Sequence, residues 1–64
     1  MPVITVEAGV LNKKQKEDLV HELTAIASKI MNVPSSAYIV LVKENEKDNI
    51  GFGGKTMTEI AEGK

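Results

Sequence analysis

The chain begins Met1-Pro2, and this pair carries the clearest capacity for acid–base chemistry in its 64 residues. Removal of an initiator methionine that precedes a small residue would leave Pro2 as a free secondary amine. An α-amino group titrates near ~7.7–8.0, and an apolar pocket disfavours its protonated form, which brings it toward neutral pH. General base catalysis works best there. The same proline also suits the start of an edge strand, where its missing N–H is not needed. Other chemistry finds little footing. There is no cysteine, and the single histidine, His21, has no partner evident in sequence, so no nucleophilic triad can be assembled. Glu44, Glu46 and Asp48 lack the pattern of a calcium loop and read as a solvated loop. The glycines of "GFGG" match no dinucleotide or phosphate-loop fingerprint and read as turn residues. No metal and no cofactor is expected.

The elements that must position Pro2 can be read from hydrophobic pattern. "VITV", Val3 to Val6, is β-branched throughout and predicts a strand closed by Gly9. Asn12 with Gln15 three places on forms the capping-box pattern of a helix start. Leu19, Leu23, Ile26 and Ile30, with Val20, Ala27 and Met31 beside them, draw one apolar stripe, and His21 falls off it. The helix should stop near Asn32 or Val33, because Pro34 disfavours helical geometry at the residue before it. Ala37 to Val42, "AYIVLV", is apolar at every position, which predicts a strand buried on both faces. Strand, helix, strand with a connection of this length predicts a right-handed crossover and a parallel pair. "KENEKDN" reads as a polar loop, "GFGG" as a tight turn or hairpin, Lys55 to Ile60 as a short strand, and "AEGK" as a fraying tail.

Sixty-four residues make one domain, residues 1–64, and a chain this short buries only roughly 60% of the surface it exposes when unfolded. With no disulfide or zinc site to reinforce it, oligomerisation is expected. The opposite face of "YIVLV" would stay wet under a single helix, and an apolar patch of that kind is normally an interface. The net charge of −1, from eight lysines and nine acids, offers no basic field for nucleic acid. The longest apolar run is far below the ~20 residues of a membrane span, and nothing resembles a signal peptide, so a cytoplasmic protein is expected.

The second-position proline, the short strand, the capped helix carrying "QKEDLV", the proline after it, the apolar strand and "GFGG" occur in a specific order and spacing. Together they resemble the 4-oxalocrotonate tautomerase family over nearly the whole chain. The resemblance implies an α/β fold of β-α-β subunits: two parallel strands, a crossover helix and a C-terminal hairpin, with the sheet completed by a partner subunit. It implies dimers with a four-stranded sheet, usually assembled as a hexamer, a trimer of dimers. It also implies that Pro2, freed of Met1, moves a proton between the oxygen-bearing end and a distal carbon of a small enol or dienol 2-oxo acid.

The resemblance places further site residues at Leu11, Ile39, Ile50 and Phe52. The family's two substrate-holding arginines fall at Val10 or Leu11 and at Ile39, and this chain has no arginine at all. The family's pocket aromatic falls at Ile50, with Phe52 two residues on and on the same side of a strand. Charge-assisted hydrogen bonds to a carboxylate contribute about 1.5–3 kcal/mol each, so a dicarboxylate should bind weakly. One of Lys13, Lys14 and Lys16 is a candidate replacement anchor, and Tyr38 a candidate hydrogen-bond donor pointing opposite to Ile39. The alternative reading is a catalytically weak or silent family member whose assembly serves a binding or structural role.

Overall fold

The computed structural model describes residues 1–64. Strand β1 spans Val3–Ala8, helix α1 Lys13–Met31, and strand β2 Ile39–Glu44. A short hairpin of β3, Gly51–Phe52, and β4, Lys55–Thr56, then leads into helix α2, Met57–Ala61. β1 and β2 pair in parallel from Val3 opposite Ile39 to Ala8 opposite Glu44, so α1 is the crossover that the strand–helix–strand order requires. No helix is long and apolar enough to cross a membrane.

Helix α1 starts where the sequence says it should. The Asn12 side chain accepts the Gln15 N–H at 2.8 Å, and Gln15 Oε1 accepts the Asn12 N–H at 3.0 Å. Its other end is closed by Asn32 in the left-handed region at φ 58°, whose N–H reaches the Ser28 carbonyl. Asparagine tolerates this conformation better than most side chains, so the stop is set two residues before Pro34. Ser28 Oγ donates to the Val33 carbonyl at 2.7 Å and ties down the turn. Ser35–Ala37 then form a 3-10 turn, which delays β2 to Ile39 where a strand from Ala37 was expected.

Apolar side chains in the sheet alternate in burial. Ile4, Val6, Val40 and Val42 are half-buried beneath α1, whereas Val3, Ile39 and Leu41 are exposed on the open face. The expected burial of β2 on both faces is therefore not met within one chain. The helix stripe also divides: Leu19, Leu23 and Ala27 turn toward the sheet, but Ile26 and Ile30 are 50% and 75% exposed. Two strands ~4.8 Å apart are narrower than the apolar arc of the helix, so its flanks overhang.

Only Ala27 is buried in the whole chain. The accessible surface is 4933 Å², against about 4,000 Å² for a compact monomer of this mass. The radius of gyration is 15.6 Å, where about 11 Å is usual for this length. The reason is an arm: extents of 48 × 23 × 14 Å show the hairpin and α2 continuing away from the α1–sheet body. An open sheet face beside a projecting arm leaves apolar surface that a partner subunit could cover.

The arm departs from expectation in a second way. The strand expected over Lys55 to Ile60 is cut short to Lys55–Thr56, because Thr56 and Glu59 form a second capping box that starts α2 at Met57. The tail is tied rather than loose. Gly63 at φ 77° lets Lys64 N–H return to the Glu59 carbonyl at 2.9 Å, a glycine-closed helix end, and Lys55 Nζ donates to the Lys64 carbonyl. Gly53 and Gly54, both at positive φ, make the two-residue hairpin turn as "GFGG" suggested.

Candidate active site

Pro2 sits at the head of the parallel pair. Its carbonyl accepts the Ile39 N–H at 3.0 Å, which extends the β1–β2 ladder by one bond and fixes the proline beside the start of β2. Pro2 is half-buried and Met1 is 86% exposed. Pro2 and Ile39 are thus brought together. Tyr38 precedes Ile39 and is half-buried, and its hydroxyl oxygen is shielded from solvent without a hydrogen-bond partner in the chain.

The other site residues lie elsewhere. Leu11 follows the far end of β1, and Ile50 and Phe52 follow the far end of β2. In a parallel pair both far ends are on the same side, roughly 23 Å from Pro2 at ~3.3 Å per residue. A single chain therefore holds the candidate residues as two separate groups, or candidate half-sites, Pro2 with Ile39 at one end and Leu11 with Ile50 and Phe52 at the other.

The distal half-site has two adjoining cavities. One, of about 510 Å³, is lined by Val10, Ile50 and Met57 with Asn45, Glu46 and Lys47. The other, of about 520 Å³, is lined by Ile50, Phe52 and Met57 with Glu7, Asn45 and Asn49. A third groove of about 510 Å³, between α1 and the free edge of β2, is floored by Val20, Val40 and Val42 and rimmed by Lys13, Lys16 and His21. None of Pro2, Leu11, Ile39, Ile50 and Phe52 lines it.

Glu44, expected as a loop carboxylate, is the last residue of β2 and a cross-chain clamp. Its Oε1 accepts Lys16 Nζ at 2.9 Å and its Oε2 accepts the Leu11 N–H at 2.8 Å. The Lys16 hydrogen bond, and then that from Leu11, hold its carboxyl below the usual carboxylate range. The clamp fixes the β1–α1 loop, and with it Leu11, against the end of β2. Nothing in local sequence marks this pairing, since 28 and 33 residues separate the partners.

It also engages one of the three candidate anchor lysines. Lys16 is committed to Glu44, Lys14 pairs with Asp18 at 2.9 Å, and Lys13 lies 3.9 Å from Glu17, so each candidate lysine already faces a carboxylate. His21 is exposed on α1, as its position off the stripe implied. Asp48 accepts a hydrogen bond from the Thr58 hydroxyl, which docks α2 on the loop before the hairpin.

Proteins of known or assigned kind share this architecture. A probable tautomerase of Campylobacter jejuni is 29% identical over 62 residues, covering 94% of this chain and 91% of the relative. The structure of DmpI from Archaeoglobus fulgidus superposes with a TM-score of 0.79 at 33% identity, over 89% of this chain and 98% of that one. TomN, a 4-oxalocrotonate tautomerase homologue in the tomaymycin biosynthetic pathway, superposes with a TM-score of 0.88 at 26% identity over 95% of both chains. These structures confirm the β-α-β fold with its C-terminal hairpin. The family model described as tautomerase enzyme matches residues 2–60, from the proline at the head of β1 through the arm into α2, and the chain belongs to the tautomerase family.

Proposed function

We propose that this protein is a tautomerase that moves a proton within a small enol or 2-oxo acid, with Pro2 as general base once Met1 is removed. Membership of the tautomerase family supports an isomerase over the silent alternative. The observation that carries the residue assignment is the pinned, half-buried position of Pro2 beside Ile39. With Met1 attached, the Pro2 nitrogen is a tertiary amide whose lone pair is delocalised into the carbonyl, and it accepts no proton near neutral pH. Released, it is a secondary amine held by its own ring and by the ladder bond through its carbonyl.

Catalysis then runs in two proton transfers. The Pro2 nitrogen takes the proton from the oxygen-bearing end, and the resulting ammonium returns it to carbon at the distal position. The first step makes the base cationic and the substrate oxygen anionic; the second restores both. Apolar walls favour the neutral amine at the start of the cycle.

The working site lies between subunits. Pro2 and Ile39 come from one chain, and Leu11, Ile50 and Phe52 come from a neighbour, because one chain keeps these groups roughly 23 Å apart. The surplus of exposed surface over a compact monomer, on the order of 900 Å² per chain, equals a standard interface per partner. A homo-oligomer, a hexamer built as a trimer of dimers, satisfies both requirements.

The test pairs intact mass with an ultraviolet assay for ketonisation of phenylenolpyruvate. Protein lacking Met1 should turn over the enol, protein retaining Met1 should not, and a processed Pro2→Ala variant should lose activity while assembling normally. Equal turnover by the Met1-retaining form would refute the role of Pro2.

A further inference from the structure

Proton transfer at an enol or at the carbon beside a carbonyl leaves negative charge on oxygen, and catalysis requires a donor where that charge develops. This chain has no arginine to supply it. We infer that the side-chain amide of Asn45 is the donor that meets the enolic or 2-oxo oxygen of the substrate. The inference rests on the tautomerase reading and names a catalytic residue within it.

Three observations converge on Asn45. It lines both cavities of the distal half-site, whereas Lys47 and Asn49 line one each. Its backbone is anchored: the Asn45 N–H donates to the Ala8 carbonyl at 2.8 Å and prolongs the parallel ladder past Glu44, so the half-buried side chain projects from the tied end of the paired strands. Its amide is loosely held. Nδ2 reaches Glu7 Oε1 and the Ala8 carbonyl oxygen only at 3.4 Å each, beyond the ordinary range for N–H···O bonds.

An oxygen of the substrate placed between Ile50 and Phe52 would offer Nδ2 a shorter bond than either present partner. Charge on that oxygen strengthens the bond as the proton leaves, so its contribution grows toward the transition state. Lysine is a poorer candidate here. Lys13, Lys14 and Lys16 face carboxylates, and Lys47 is exposed beside Glu46.

The experiment uses the Met1-free oligomer and two variants, Asn45→Asp, which keeps the shape but removes the donor, and Asn45→Leu. Ketonisation of phenylenolpyruvate should show kcat reduced about a hundredfold in both, with KM changed by less than about threefold. In ¹⁵N-labelled wild type, the Asn45 amide resonances, identified by their absence from both variants, should move on titration with phenylpyruvate. Asn45→Asp retaining kcat within about twofold, or a rise in KM alone, would overturn the inference. So would amide resonances that stay fixed throughout the titration. If the wild type shows no Pro2-dependent turnover, the functional reading fails, and the titration alone decides whether Asn45 meets the 2-oxo acid.

Discussion

Leu41→Asp separates a lone chain from an assembly more sharply than any other substitution. Leu41 lies on the open face of β2 and is 53% exposed within its own chain, opposite Thr5 and next to Ile39. If the chain stood alone, an aspartate there would meet water and cost little. If a partner covers the face, each copy loses the remaining half of a leucine's burial, about 1 kcal/mol. The carboxylate must also be desolvated without a partner, at about 1–3 kcal/mol on the scale that polar substitutions give. A two-fold interface contains the residue twice, so a dimer is weakened by about 4–8 kcal/mol and its dissociation constant rises by about 10³–10⁶. Sedimentation velocity between 1 and 100 μM, as approximate limits, covers the range in which dimers of ordinary affinity dissociate. The wild type should sediment as a dimer or larger and Leu41→Asp as monomer with reduced helical circular dichroism. Leu41→Asp assembling like the wild type at the lowest concentration would refute the covered-face argument.

The Glu44 clamp predicts a pH dependence. Its carboxyl is held below the ordinary 4.5 by Lys16 and the Leu11 N–H, so its contribution to stability is complete above about pH 4.5 and is lost as pH falls through the lowered value. Urea unfolding of wild type against Glu44→Gln from about pH 3 to 6 should show the difference shrinking toward the acid end; a constant difference would remove the carboxylate as its cause. Asn12→Ala deletes a capping box at the head of α1 and should cost about 1 kcal/mol in equilibrium unfolding, whereas a change below a few tenths would show the cap to be redundant. With no arginine and with Lys13, Lys14 and Lys16 paired, kcat/KM should favour a monocarboxylate or neutral aryl enol over a dicarboxylated dienol. Efficient turnover of the dicarboxylate, competing on equal terms, would contradict that assignment.

How much of this was legible in the sequence depends on the range of the interaction. Asn12 with Gln15, the β-branched "VITV" and the glycine pair all act within a few residues, and each produced its element where expected. The second capping box, Thr56 with Glu59, has the same local signal, so the start of α2 was readable although a strand was expected there. Ile26 and Ile30 misled because periodicity reports an apolar face and not the width of what covers it; a two-stranded sheet is too narrow. The clamp joining Leu11, Lys16 and Glu44 spans about half the chain and left no trace in local pattern. Pro2 was legible from its own chemistry, whereas Leu11, Ile39, Ile50 and Phe52 were named through family resemblance, and their division into two distant groups emerged only when the parallel register put Pro2 and Leu11 at opposite ends.

The near absence of an interior has a consequence for dosage. Ala27 alone is buried, so in the proposed assembly dilution would act on the fold as a denaturant does. The quantity of working sites then rises more steeply than the quantity of polypeptide, as a higher power at low abundance, and halving synthesis removes more than half of the catalyst. In the proposed assembly, trimming of Met1, 86% exposed in the single chain, would have to precede any closing of neighbouring copies over that terminus.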